Sequence, residues 1–125
     1  MDRPVVVIAD DEPRILASLA FIVEREGGRA VTVADGLAAL EAIRRERPVL
    51  ALLDVMMPGL DGLAICRTLC ADPEFAGLEL VVITALGQAD HERQALEAGA
   101  SRYIRKPFDA RAVRDLVQAR LGTTP

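Results

Sequence analysis

The chain has 125 residues, 51% hydrophobic and 27% charged, with a net charge of −4 from 15 basic and 19 acidic side chains. That is the size and composition of one globular domain, able to bury roughly two thirds of its unfolded surface without disulfides or a structural metal. The acidic balance argues against direct nucleic acid binding, and no apolar run approaches the ~20 residues needed to span a bilayer.

The first element is "PVVVIA" (4–9), a near-continuous apolar run of the kind buried on both faces in a parallel sheet. The N-terminus "MDRPVVVIADDE" turns acidic where a secretory signal needs a longer apolar region, so a cytoplasmic location is expected. After Asp10, Asp11 and Glu12, Pro13 opens a helix with the stripe Ile15, Leu16, Leu19, Ile22 and Val23. "RAVTV" (29–33) is shorter and more polar, as edge strands tend to be. Asp35 fits the N-cap of a second helix carrying Leu37, Leu40, Ala42 and Ile43. The run 49–53 is a third strand and ends in Asp54, at the head of "DVMMPGLDG" (54–62).

A third helix carries Leu63, Ile65, Cys66, Leu69 and Cys70. The two cysteines with one distant histidine make a poor metal signature and read as reduced thiols. The run 78–83 is a fourth strand leading to Thr84 and Ala85. "QADHERQALEAG" (88–99) is a weak fourth helix anchored by Ala95 and Leu96, with Gly99 as its C-cap and His91 expected in solvent. "SRYIRK" (101–106) is a polar fifth strand ending at Lys106 and Pro107. Asp109 starts the last helix, with Val113, Leu116, Val117 and Leu121 inward; Arg102, Arg105, Arg111, Arg114 and Arg120 read as a solvated face. Residues 1–121 form one domain in this reading, and "GTTP" (122–125) is a tail or the start of a linker.

Strictly alternating strands and helices imply right-handed crossovers and an α/β fold, a doubly wound five-stranded parallel sheet with five helices. The two polar strands belong at its edges, which gives the flavodoxin-like order 2-1-3-4-5 with a switch point between strands one and three. Ligands in such sheets sit beyond the carboxyl ends of the strands. Those ends carry Asp10 and Asp11, then Asp54, then Thr84 and Ala85, then Lys106.

An N-cap role accounts for one aspartate of the pair, not for two beside a third. Like charges ~4 Å apart repel by ~4 kcal/mol at an effective dielectric of about 20, so the cluster calls for a cation. Oxygen-only ligands and an open site favour Mg²⁺ or Mn²⁺. Three carboxylates, a divalent ion and Lys106 sum to about zero charge, which leaves an added phosphoryl group stabilised by both cations. A carboxylate can itself be the nucleophile and become an aspartyl phosphate. Lys106 and the Thr84 hydroxyl then offer a charge and a hydrogen bond to the phosphoryl oxygens, and small Ala85 admits backbone amides.

"IADDE", "LLDVMMPGLDG", "ITA" and "KPF" resemble, in order and spacing, the receiver domain of two-component response regulators, over about residues 4–121. The resemblance implies phosphorelay signal transduction, with Asp54 as phosphoacceptor for a sensor histidine kinase or histidine phosphotransfer protein. It implies Mg²⁺ bound by Asp11, Asp54 and the Met56 carbonyl, with Asp10 assisting through water. Thr84, Lys106 and the backbone at Val55 and Ala85 would contact the phosphoryl group. Thr84 and Tyr103 would act as the switch for the face of the fourth helix, fifth strand and fifth helix, read by a downstream output domain or protein. A cis Lys106–Pro107 bond is also implied. Such a domain promotes phosphotransfer onto its own Asp54 and its hydrolysis, and is not a conventional turnover enzyme. Side chains at Met56 and Leu86 would flank the path of the hydrolytic water, and apolar ones there should prolong the phosphorylated state.

A phosphorylation-dependent homodimer belongs to many such domains. Here the acidic pair used by winged-helix response regulators is replaced by Ser101 and Arg102, and their last-helix Glu and Arg by Ala112 and Leu116. "CRTLCADPEF" and the phrase "ITA" look more like receivers attached to cyclases or kinases, or standing alone. Two other readings compete: an unphosphorylated pseudo-receiver acting as an interaction module, and a small aspartyl-phosphate phosphatase. The phosphatase would need a second acid where Met56 stands, and the intact Asp10, Asp11, Asp54, Thr84 and Lys106 argue against the pseudo-receiver.

Overall fold

A computed structural model describes residues 3–85, 87 and 89–122. The elements run β1 (Val5–Ala9), α1 (Pro13–Arg25), β2 (Arg29–Val33), α2 (Gly36–Glu46), β3 (Leu50–Leu53), α3 (Gly62–Cys70), a short 3₁₀ turn (Pro73–Phe75), β4 (Glu79–Thr84), α4 (Ala89–Glu97), β5 (Arg102–Arg105) and α5 (Ala110–Leu121). All strand pairs are parallel and the order is β2-β1-β3-β4-β5. The polar strands lie at the edges, as expected, because only the three inner strands are covered along both faces.

Alternation along the strands divides the core in two. Val6, Ile8, Leu50, Leu52, Val81 and Ile83 pack against Leu19 and Val23 of α1 and Val113, Leu116 and Val117 of α5. Val7, Ala9, Ala51, Leu53 and Val82 face Ile43 of α2, Ile65 and Leu69 of α3, and Ala95 of α4. Each large aliphatic side chain so buried contributes about 1.5–3 kcal/mol. The inner strands therefore hold the sheet rigid directly beneath their carboxyl ends.

Several local expectations change. The N-cap of α1 is Glu12, without a side-chain hydrogen bond, because Asp10 instead accepts from the Glu12 amide at 2.9 Å. Leu37 is 65% exposed, since Gly36, Ala39, Ala42 and Ile43 take the core-facing positions of α2. Leu96 is 45% exposed for the same reason, one position round the helix from buried Ala95. Cys66 is buried while Cys70 is exposed, and both are free thiols. His91 is half-buried rather than in solvent: it shares a helical face with Ala95 and Ala98, and its Nδ1 has no hydrogen-bond partner among the described residues.

Gly99 ends α4 as expected, at φ +115°, with the Ala100 amide reaching back to the Ala95 carbonyl at 3.0 Å. The 3₁₀ turn was not anticipated; Asp72 caps it through the Glu74 amide and Phe75 is buried. Arg120 is no solvated charge, because its guanidinium donates to the Val49 and Gly77 carbonyls at 2.8 and 2.6 Å. It joins α5 to the amino-terminal side of the sheet.

Candidate functional site

Parallel register assembles the site. Ala9 pairs with Leu53, so the next residues, Asp10 and Asp54, emerge side by side, and the Asp54 amide donates to the Ala9 carbonyl at 3.0 Å. β4 runs further, to Thr84, and the Thr84 carbonyl accepts from the Lys106 amide at 2.9 Å. Asp10, Asp54 and Thr84 are the buried polar or charged residues among those described, 1%, 5% and 1% exposed. Burying a charge costs free energy unless it is paired. Here two buried carboxylates, Asp10 and Asp54, stand side by side at the switch point.

Lys106 supplies the pairing. Its ammonium donates to Asp54 Oδ2 at 2.9 Å and lies 2.7 Å from Asp10 Oδ2. The Lys106–Pro107 peptide is cis, as expected. Asp54 Oδ1 accepts from the Met56 amide at 3.1 Å, so both carboxylate oxygens are held. Burial opposes the charge on Lys106, but the hydrogen bonds to Asp10 and Asp54 outweigh it and raise its pKa. Burial pushes the Asp10 carboxyl above the ordinary aspartate value, against the pull of Lys106 and the Glu12 amide.

Asp11 is exposed beside this pair, and one carboxylate oxygen from each of Asp10, Asp11 and Asp54 lies within 4.8 Å of the others. An oxygen-only donor set of this size, partly open to water, suits a small hard divalent ion. Val55, next in the chain after Asp54, is buried, while Met56 is 61% exposed. Ala85 is exposed just after Thr84, and Tyr103 is half-buried on β5, against the core on the α2–α4 side. Leu86 lies outside the described residues, as do Gln88 and residues 123–125. Arg105, expected on a solvated face, instead donates from its guanidinium to the Gly87 carbonyl at 2.6 Å and so ties that residue to β5.

Fold and site together define a flavodoxin-like α/β domain with an acidic, lysine-paired centre at its switch point. The chain belongs to the response regulator receiver domain family of two-component signalling, whose family model matches residues 6–118. It is 37% identical over 119 residues to the DNA-binding response regulator MtrA of Mycolicibacterium smegmatis, covering 95% of this chain and 51% of that protein. It is 36% identical over 108 residues to the transcriptional regulatory protein CseB of Streptomyces coelicolor, covering 86% of this chain and 45% of that protein. The chain thus spans about half the length of these curated relatives.

Among solved structures, the BeF3-activated N-terminal receiver domain of Klebsiella pneumoniae RstA superimposes with a TM-score of 0.85 at 31% identity, covering 94% of this chain and 97% of that one. A CheY-like response regulator receiver domain protein from Methanospirillum hungatei gives 0.86 at 27% identity, covering 97% and 95%. These relatives are named as DNA-binding and transcriptional regulators, whereas the expected likeness is to receivers attached to cyclases or kinases, or standing alone. Among the described residues no helix is long and apolar enough to cross a membrane.

Proposed function

We propose that Asp54 accepts a phosphoryl group from a phosphohistidine of a sensor kinase or phosphotransfer protein, and that the change is read on the face of α4, β5 and α5. The observation that carries this reading is the buried Asp54 carboxylate, paired with Lys106 and within reach of Asp10 and Asp11. A carboxylate oxygen of Asp54 attacks phosphorus, the P–N bond breaks, and its electron pair returns to the imidazole. Hydrolysis reverses the state: water attacks phosphorus, and the carboxylate and inorganic phosphate are released. Both steps ask mainly for alignment and for charge against the equatorial oxygens.

Lys106 is already in place for that task and stays charged. The Thr84 hydroxyl and the backbone at Val55 and Ala85 are assigned the remaining phosphoryl contacts. Asp10, Asp11, Asp54 and the Met56 carbonyl are assigned to hold Mg²⁺, or Mn²⁺, which would supply the second positive charge. Such a domain modifies itself and is not a turnover enzyme. We place it in the cytoplasm, where a kinase domain can reach it. The DNA-binding of the relatives is assigned to the half of those proteins that this chain does not span.

Incubation with acetyl phosphate and Mg²⁺ should add one phosphate by intact mass. Labelling should vanish in Asp54→Asn and weaken in Asp11→Ala. An Asp54→Asn protein labelled as fully as the parent would sink the assignment, and an unlabelled parent would favour a pseudo-receiver.

For the output face, α4 is the element most easily moved, since Ala95 is its one buried residue among those described. Thr84 drawn toward the phosphoryl oxygens would make room for Tyr103 to turn inward. A phosphoryl mimic such as beryllofluoride should shift NMR resonances along α4, β5 and α5. Shifts confined to the pocket would refute the coupling.

A further inference from the structure

The loop of residues 54–62 carries Asp54 and Met56, and its backbone meets the start of α2 directly, while Met57 and Leu60 pack into the core beside that helix. Gly36, the first residue of α2, is buried and donates its N–H to the Pro58 carbonyl at 3.1 Å. A Cβ at Gly36 would lie 1.6 Å from the Leu60 carbonyl oxygen and 2.9 Å from the Leu60 Cα. No side chain fits there unless the loop lifts. At the other end, the Gly62 amide donates to the Val55 carbonyl at 3.2 Å, and a Cβ on Gly62 would lie 2.4 Å from the Asp54 carbonyl oxygen. Asp35 and Asp61 cap the two helices through the Ala38 and Ala64 amides, each at 2.8 Å, and so fix the ends from which both glycines approach. Within the loop, the Met56 amide holds Asp54 Oδ1. The height of the loop over α2 therefore governs where the Asp54 carboxylate and the Met56 backbone sit relative to Asp10 and Asp11.

We infer that Gly36 is a positioning residue for the cation and phosphoryl site: its missing side chain lets the Leu60 backbone seat on α2 and keeps the Asp54 loop in register with Asp10 and Asp11. The inference rests on the reading of Asp10, Asp11 and Asp54 as a Mg²⁺ site. It also makes the start of α2, which contributes no side chain to that site, a part of its machinery. Outer contacts that orient ligands commonly change metal affinity roughly 10- to 100-fold when altered.

The test is Gly36→Ala, with Gly28→Ala as its control. Gly28 stands just before β2, at the amino ends of the strands, and a Cβ there meets the ends of Val23 and Leu121 at 2.9 and 3.0 Å. Both variants should lose stability, read as thermal midpoint by circular dichroism. Only Gly36→Ala should lose Mg²⁺ affinity by calorimetry, by roughly tenfold or more. Parental affinity in Gly36→Ala overturns the inference, as does equal weakening in Gly28→Ala. A parent that binds no Mg²⁺ overturns the metal reading and the inference with it, an outcome distinct from the other two. Should Gly36→Ala fail to fold, amide exchange of the parent decides. Mg²⁺ should slow exchange at both the Met56 and Gly36 amides, and protection of Met56 with Gly36 unchanged overturns the clamp.

Discussion

The Lys106 ammonium sits 2.9 Å from the Asp54 carboxylate although 52 residues separate them in the chain. Strands β4 and β5 intervene in the sequence, yet parallel register brings the two side chains to the same edge. The same ammonium also lies 2.7 Å from Asp10, so one cation separates two buried anions. Without it, Asp10 and Asp54 would face each other unscreened.

Lys106→Met should therefore cost stability as well as phosphoryl uptake. Breaking a buried ion pair from one side costs about 3 kcal/mol or more, because the remaining charge stays desolvated. Urea unfolding without divalent ions should show the lower midpoint, and saturating Mg²⁺ should recover more of it than in the parent, since an ion held by the proposed site would favour the folded state. An unchanged midpoint would mean that Lys106 does not hold the pair together.

Much of this site was legible because polar residues ending apolar runs are rare and the topology forces those ends together. Asp10, Asp54, Thr84 and Lys106 needed only the strand order. What hid were features set by close approach. The core side of α2 belongs to Gly36, Ala39 and Ala42, so Leu37, the more apolar residue, stands outside. Hydropathy ranks those residues the other way round, because it does not know how near the 54–62 loop comes. His91 was misplaced similarly: a polar helix hides that its histidine shares a face with Ala95 and Ala98. Arg120 looked solvated because its hydrogen-bond partners are backbone carbonyls, which carry no sequence signal.

Those carbonyls make Arg120 a stability residue. It donates to Val49 and Gly77, which flank the starts of β3 and β4, from the last turns of α5. Hydrogen bonds from a charged donor contribute roughly 1.5–3 kcal/mol, and partial exposure of this side chain places the net effect near the lower figure. Arg120→Met should lower the urea midpoint accordingly, while labelling by acetyl phosphate stays at the parental rate. A midpoint within error of the parent would show that water replaces the guanidinium without loss.

The two thiols should react in sequence. Burial, with Cys70 adding to it, pushes the Cys66 thiol up to about 12, and the thiolate is the form that alkylates. Cys70 is exposed on the same helix. Iodoacetamide at mildly alkaline pH should add one group to the native protein, at Cys70, and a second only in urea. Two adducts on the native fold would mean that α3 opens far more readily than its packing suggests.

Met56 should set how long the phosphoryl group persists. Its amide holds Asp54 Oδ1 while its side chain is 61% exposed, and in the proposed reading that side chain flanks the path of the hydrolytic water. That water has to lie in line with the departing carboxylate. A thioether is at best a weak hydrogen-bond acceptor, so it offers the water little orientation and crowds its path. Met56→Asn places an amide there that can both donate and accept. Because the backbone amide of residue 56 is kept, Asp54 should remain held and labelling should proceed as before. Purified phosphoprotein, followed at saturating Mg²⁺ by intact mass, should then lose phosphate several-fold faster in Met56→Asn than in the parent. Equal or slower decay would place control of the lifetime elsewhere in the pocket.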